Sequence, residues 1–281
     1  MASIKDKLLA IGAALAYPQV RLKPAITKEH FSGKWVLVTG ASHGIGRALT
    51  EKLIDADANV FLIARSEAEL QCLCDRAKQR GNRADYCTID LRDREKLELL
   101  CQKLKETLPQ LDYFFCNAGK SIHRKITDAL DRLHDYDRTI DLNYRALVAL
   151  SLALLPALKA SKGSIIYSSS VSTRYPMAPG WSAYHASKCA ANAWCETANS
   201  EFAPLGVRVQ IAYLPLVHTA MSDVNERYRQ LPAYYPADAA NILLRLAIRK
   251  GKRYQPWWAK LSAPIAYLFA PIVHLFYKQM V

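Results

Sequence analysis

Tyr184 and Lys188 stand four residues apart in Tyr184-His185-Ala186-Ser187-Lys188. That spacing puts a phenol and an ammonium on one face of a helix. A free tyrosine titrates near ~10 and is a poor base at neutral pH. A neighbouring cation favours the phenolate, so such a pair can trade a proton with an alcohol or carbonyl oxygen. Upstream, Ser168-Ser169-Ser170 closes an apolar run and offers hydroxyls at the carboxyl end of a predicted strand. The Tyr-Lys spacing is common by itself, and its weight comes from the elements around it.

A glycine-rich turn, Thr39-Gly40-Ala41-Ser42-His43-Gly44-Ile45-Gly46, directly follows the apolar run Trp35–Thr39. Glycines permit a tight strand-to-helix turn and let backbone approach a pyrophosphate. The helix expected from Ile45 then offers free N–H groups and its positive dipole end. A strand before and a helix after is the context a dinucleotide site requires. The second apolar run ends in Ile63-Ala64-Arg65-Ser66. A site for NAD places an acidic residue there, about 20 residues beyond the glycines, to hold the ribose 2′-hydroxyl. Here Ala64 takes that place and Arg65 follows it. A guanidinium suits a 2′-phosphate, which a carboxylate would repel, so NADP(H) is the expected cofactor. His43 either donates to the same phosphate or faces water.

These residues need a scaffold, and the hydrophobic pattern supplies one. Strands are expected at Trp35–Thr39, Val60–Ile63, Asp85–Ile89, Tyr113–Cys116, Gly163–Ser169 and Val207–Tyr213. Helices are expected between them at Ile45–Asp57, Glu67–Gln79, Arg94–Thr107, Leu130–Ser161 and Tyr184–Phe202. Short apolar strands alternating with helices predict right-handed βαβ units. The expected fold is α/β, a doubly wound parallel sheet of the Rossmann type in a single domain over residues 34–253. Residues 1–33 form an N-terminal extension in which Ile4–Tyr17 is an amphipathic helix and Pro18 to Pro24 an irregular connection. Residues 254–281 form an aromatic, apolar tail after a basic helix, Ala237–Arg253.

Composition narrows the classes further. With 51% hydrophobic and 22% charged residues the chain is no disordered polymer. No run of 18 uninterrupted apolar residues marks a membrane span. The net charge of +13 fits nucleic acid, an anionic membrane or a phosphorylated small molecule. No zinc-finger spacing, aromatic RNA-binding motif or long basic run supports nucleic acid. The seven cysteines show neither a disulfide framework nor a metal site, which points to a reducing, cytoplasmic setting.

Together the motifs resemble the short-chain dehydrogenase/reductase family over about Lys34 to Met221, roughly two thirds of the chain. The family's T-G-x-x-x-G-x-G stands as Thr39, Gly40, Gly44 and Gly46, with Ser42, His43 and Ile45 inside the turn. Its adenine-contacting acid matches Asp90, beside Leu91, and its N-N-A-G appears as Cys116-Asn117-Ala118-Gly119 with Cys for the first Asn. Asn143 matches the helix asparagine, Ser170 matches the serine by register from Gly163, and Tyr184 and Lys188 complete a tetrad. The resemblance implies that NADPH reduces a carbonyl, with Tyr184 as proton donor and Ser170 polarising the oxygen. Lys188 would lower the tyrosine pKa and bind the nicotinamide ribose, and Asn143 would hold a water of the proton relay. Thr219 is retained to hold the carboxamide, with Val217 beside it.

Three departures from the family pattern stand out. Ser170 precedes Tyr184 by fourteen residues where the family has thirteen, so Ser169 and Ser172 remain rivals. Pro215 replaces the glycine of P-G-x-x-x-T, and the glycine-rich last strand is missing. The segment Leu214–Met221 looks like the corresponding loop of bacterial short-chain-type fatty acyl-CoA reductases, which points to a lipophilic substrate. The tail carries Trp257, Trp258 and Lys260, and reads either as packing over the substrate pocket or as a peripheral contact with an anionic membrane. The family pattern also implies a homo-oligomer through the long helices. The rival function is a non-catalytic NADP-binding sensor or scaffold, for which an intact tetrad would be unnecessary.

Overall fold

The computed structural model describes residues 12–223 and 226–279. Residues 12–16 are helical, and the rest of the expected helix Ile4–Tyr17 lies outside the described residues. The first complete helix, α1 (Pro24–Phe31), replaces the irregular connection expected there. Proline at the start of a helix costs no hydrogen bond, since that N–H would be unpaired in any case. The helix drives Phe31 into the core, with its ring 4.8 Å from Tyr113.

The alternation then unfolds as β1 (Trp35–Thr39), α2 (Gly44–Asp55), β2 (Asn59–Ala64), α3 (Glu67–Gln79), β3 (Ala84–Thr88), α4 (Arg94–Thr107) and β4 (Tyr113–Cys116). The second half runs α5 (Leu133–Ile140), α6 (Ala146–Ser161), β5 (Ser164–Ser170), α7 (Ser182–Phe202) and β6 (Arg208–Leu214). It closes with α8 (Glu226–Arg229), α9 (Pro236–Arg249), β7 (Arg253–Tyr254), α10 (Trp257–Leu268) and α11 (Ala270–Lys278). Each predicted strand is present within a residue or so of its expected limits. The strands form one parallel sheet in the order β3-β2-β1-β4-β5-β6-β7. Val36, Leu37 and Val38 are fully buried, as continuous apolar runs in a sheet covered on both faces must be. One layer packs α2, α3 and α9 on the sheet, and the other packs α4, α6 and α7.

The order reverses between β1 and β4, which leaves a crevice at the carboxyl ends of the strands. The loops after β1, β4, β5 and β6 converge there, and these carry the residues singled out above.

Several expectations need correction. The helix expected over Leu130–Ser161 begins at Leu133 and is interrupted by a π-helical turn, Asp141–Arg145. Periodicity hides such a turn because a single wider turn only rotates the apolar face. The basic helix ends at Arg249, where Lys250 takes a left-handed conformation. A last strand does exist: Arg253 and Tyr254 pair with Ile211 and Ala212. Two residues carry no period, so β7 was invisible in the sequence. Among the described residues, the helical run of residues 133–161 is long and apolar enough to cross a membrane, yet Leu147, Leu150, Leu154 and Leu158 are fully buried against the sheet.

Candidate active site

The glycine turn is set by close approach. Gly40 adopts φ +68°, and a Cβ there would lie 3.0 Å from Ala118 Cα. A Cβ on Gly46 would lie 2.0 Å from the Gly40 carbonyl oxygen, so only glycine fits. Helix α2 then starts at Gly44 with no side-chain cap on its N–H groups, because the exposed His43 pairs its Nδ1 with Ser42 Oγ at 2.9 Å. Ile45 lies half-buried behind this turn. Thr39 sits deeper than expected: it is fully buried, and its Oγ1 accepts from the N–H groups of Asn117 and Ala118, both at 3.1 Å. It ties the β1 and β4 loops together and has no face open to a ligand.

Arg65 is exposed at the end of β2, near enough for its charge to help hold down the Asp90 carboxyl. Asp90 itself is clasped by Arg92, whose Nε donates to both carboxylate oxygens at 2.9 and 3.0 Å. That pair, chiefly, pulls the Asp90 carboxyl down to about 2. Sequence reasoning had missed Arg92, although the Asp90-Leu91-Arg92 spacing carried the signal. Leu91 is buried beneath the pair.

The π turn swings Asn143 inward, where it is 1% exposed. Its Nδ2 donates to the Lys120 carbonyl and to Ser187 Oγ, both at 2.9 Å, and its Oδ1 accepts from Lys120 N at 2.8 Å. Both amide hydrogens and one Oδ1 lone pair are thus taken up by protein groups. Gly119 admits this close packing, since a Cβ there would lie 3.2 Å from Asn143 Oδ1 and 3.5 Å from Lys188 Nζ.

The Ser170 hydroxyl comes close enough to the Tyr184 phenol to pull its pKa down. The rival Ser169 is engaged elsewhere on the same helix: its Oγ donates to Asn192 of α7, about two turns beyond Tyr184, at 2.6 Å. Ser172 joins Ser170 through a hydroxyl pair of 2.9 Å. Burial pushes the Tyr184 phenol above its ordinary 10.0, against the pull of the Ser170 hydroxyl and with a small push from Tyr228. Lys188 is buried too, its Nζ donating to the Ser168 carbonyl at 2.8 Å and lying 4.7 Å from the Tyr167 ring centroid. Burial brings its pKa down to about 8.

An aromatic wall beside Tyr184 had no signature in the sequence. The Trp181 ring lies 5.9 Å from Tyr184 and stacks on Tyr228 at 6.0 Å, while His123 backs it at 4.6 Å. Across the crevice, Thr219 approaches the turn, with its Cγ2 3.2 Å from where a Gly44 Cβ would stand. Val217 is buried and pairs with Tyr234. Among the described residues no group of His, Cys, Asp and Glu is arranged to hold a metal ion.

A parallel sheet with a glycine turn at its switch point and a Ser-Tyr-Lys cluster across the crevice defines a nucleotide-dependent oxidoreductase of the short-chain type. The short chain dehydrogenase profile matches residues 34–229, and the chain belongs to that family. It is 34% identical over 251 residues to a fatty acyl-CoA reductase of Acinetobacter baylyi, covering 89% of this chain and 84% of the relative. It is equally 34% identical over 241 residues to a fatty acyl-CoA reductase of Mycobacterium tuberculosis, covering 85% and 82%. A metagenomic short-chain oxidoreductase solved with NADP superposes with a TM-score of 0.65 at 27% identity, over 78% of this chain and 91% of the other. A short-chain dehydrogenase of Sphingobium yanoikuyae in complex with NADPH shares the fold, with a TM-score of 0.73 at 24% identity over 86% and 95%.

Proposed function

We propose that the chain is an NADP(H)-dependent oxidoreductase that interconverts a carbonyl and a hydroxyl on a lipophilic, fatty-acyl or lipid-like substrate. The observation that carries the reading is the approach of the Ser170 hydroxyl to the buried Tyr184 phenol on the helix that also carries the buried Lys188, across the crevice from the glycine turn. The residues present fit the cofactor: the Gly40–Gly46 approach leaves backbone N–H groups bare at the α2 N-terminus, and Arg65 with Arg92 offers guanidiniums for a 2′-phosphate. Gly40, Ser42, His43, Gly44, Ile45 and Gly46 would cradle the pyrophosphate. Asp90, Leu91, Asn117, Ala118 and Gly119 would flank the adenosine and ribose, and Val217 and Thr219 the nicotinamide. When bound, NADPH supplies the hydride.

The protein's own part is acid catalysis and positioning. A phenol held above its ordinary pKa is protonated at neutral pH, which suits Tyr184 Oη to donate a proton to the carbonyl oxygen as the carbon is reduced. The Ser170 hydroxyl donates a hydrogen bond to the same oxygen. Lys188, with a pKa of about 8, gains and loses a proton close to neutral conditions and serves the tyrosine in that exchange. Asn143 is a positioning residue that fixes Lys120 and Ser187 around the cluster.

The lipophilic substrate rests on the two fatty acyl-CoA reductase relatives and on the Trp181–Tyr228 wall. We also place the protein in the cytoplasm at the periphery of an anionic membrane, and as a homo-oligomer through the long helices, where Leu133 and Leu152 are 73% and 56% exposed. NADPH oxidation measured against acyl-CoAs, long-chain aldehydes and ketones is the direct test. Turnover of a long-chain carbonyl is expected, whereas tight NADPH binding with no turnover on any of them would favour a sensor.

A further inference from the structure

We propose that α10 and α11, with residues 12–22, form a face that docks on an anionic bilayer and brings the mouth of the active site to the membrane. The proposal rests on the reading of a lipophilic substrate. The two helices meet at an 84° bend, where Pro271 at the start of α11 withholds a backbone N–H. With 12 and 9 residues, at about 1.5 Å per residue, neither approaches the ~30 Å of a hydrocarbon core. The pair therefore lies along a surface. Its outer side is apolar: Leu261, Ile265, Leu268, Ile272, Leu275 and Phe276 are 56–76% exposed. Contiguous apolar exposure of this kind marks a binding surface.

Charge selects the occupant. From residue 239 to the C-terminus there is no Asp or Glu, while Arg245, Arg249, Lys250, Lys252, Arg253, Lys260 and Lys278 are all present and exposed. Residues 12–22 add Arg21 and no acid. An apolar strip on segments that carry basic residues and no acid, with Asp238 the one carboxylate bonded to residues 12–22 among the described residues, matches acyl chains beneath anionic headgroups. A second copy of the same face would meet it with like charge.

The face is also joined to both walls of the catalytic mouth. Tyr175 and Pro176 belong to the loop between Ser170 and Tyr184, the one lengthened by a residue. Tyr175 Oη pairs with Ser262 Oγ at 2.6 Å, Tyr267 Oη donates to the Tyr175 carbonyl at 3.2 Å, and Tyr277 Oη donates to the Pro176 carbonyl at 3.3 Å. On the other side, Trp258 Nε1 donates to the Ala16 carbonyl, and Tyr17 packs between Trp258 and Tyr234. Tyr234 is hydrogen-bonded to Leu216 and His218 in the loop after β6. A carbonyl on a chain still partly in the bilayer would thus enter beside Tyr184.

The full-length protein should be sedimented with phosphatidylcholine vesicles, with and without phosphatidylglycerol. A Leu268→Glu/Phe276→Glu double variant, altered at exposed sites, should be compared with it. Binding is expected only to the phosphatidylglycerol vesicles, to weaken with salt, and to fall at least tenfold in the double variant. The variant should keep its melting temperature and its NADPH-dependent turnover of a short, soluble aldehyde, while losing turnover of a long-chain aldehyde presented in vesicles. Indifference of the intact protein to both vesicles overturns the proposal, as does equal binding by the variant or a dimer that the variant dissociates. Vesicle binding without turnover of any carbonyl would overturn the reductase reading and leave the docking face standing.

Discussion

The three serines at the end of β5 show how one residue of register separates chemistry from packing. Ser170 comes up to Tyr184, while Ser169 is spent on Asn192, about two turns further along the same helix α7. Ser170→Ala should therefore depress turnover strongly, and Ser169→Ala should lower the melting temperature and spare turnover. The reverse result would move the catalytic hydroxyl. Tyr184→Phe removes only the phenolic proton, and kcat should fall by about 10²–10⁴, the usual worth of a general acid. NADPH titration of that variant should match the parent. Lys188 permits a prediction in pH. Its pKa is 10.5 in the unfolded chain and about 8 in the fold, so the unfolded state binds the extra proton between those values. Stability contributed by this site rises with pH across that window, with a slope of at most about 1.4 kcal/mol per pH unit. Urea unfolding of Lys188→Met against the parent, below and within the window, isolates that slope from the buried tyrosines and cysteines, which act in the opposite sense. An unchanged slope would mean that the ammonium is solvated.

At the scale of elements, the cofactor turn depends on contact between consecutive loops. The missing Cβ of Gly46 is occupied by the Gly40 carbonyl, so Gly46→Ala must push the turn away from α2. We expect a loss of about 1–3 kcal/mol by overpacking, with weakened NADPH binding, measured by thermal melting and by fluorescence titration. Tight binding by that variant would show that the turn does not form the pyrophosphate cradle. The acidic-to-basic exchange at the end of β2 is tested in the same way: Arg65→Asp should bring the affinities for NADPH and NADH level or reverse them, a change seen in the ratio of the two dissociation constants. The π turn before α6 belongs to this scale too, because the extra residue in one turn is what brings Asn143 round to Lys120 and Ser187.

The molecule as a whole is stitched from its ends. Helix α1 sits in the extension before β1, yet Phe31 is fully buried and its ring packs on Tyr113 and Phe115 of β4. Phe31→Ala should cost about 3–5 kcal/mol, read from the denaturation midpoint, so truncation to the start of the strand pattern would not yield a stable body. An effect below 1 kcal/mol would mean that α1 is merely draped over the sheet. The C-terminal end is joined in turn to residues 15 and 16 by the indole N–H groups of Trp257 and Trp258.

What the sequence determined by itself is local chemistry with a short period. Apolar runs of four to seven residues marked β1–β6, and Gly40, Gly44 and Gly46 marked a turn that no other residue type could make so tightly. Tyr184 and Lys188 shared a helix face because an α-helix repeats every 3.6 residues. The fold decided whatever depends on residues far apart in the chain. It separated Ser170 from Ser169, spent the Asn143 amide on Lys120 and Ser187, and brought Trp181 against Tyr228. It also decided the titration of Tyr184, which burial pushes upward. Sequence spacing reveals that a cation lies one turn away, but desolvation depends on every layer packed around the two groups, and burial raises the phenol and lowers the ammonium.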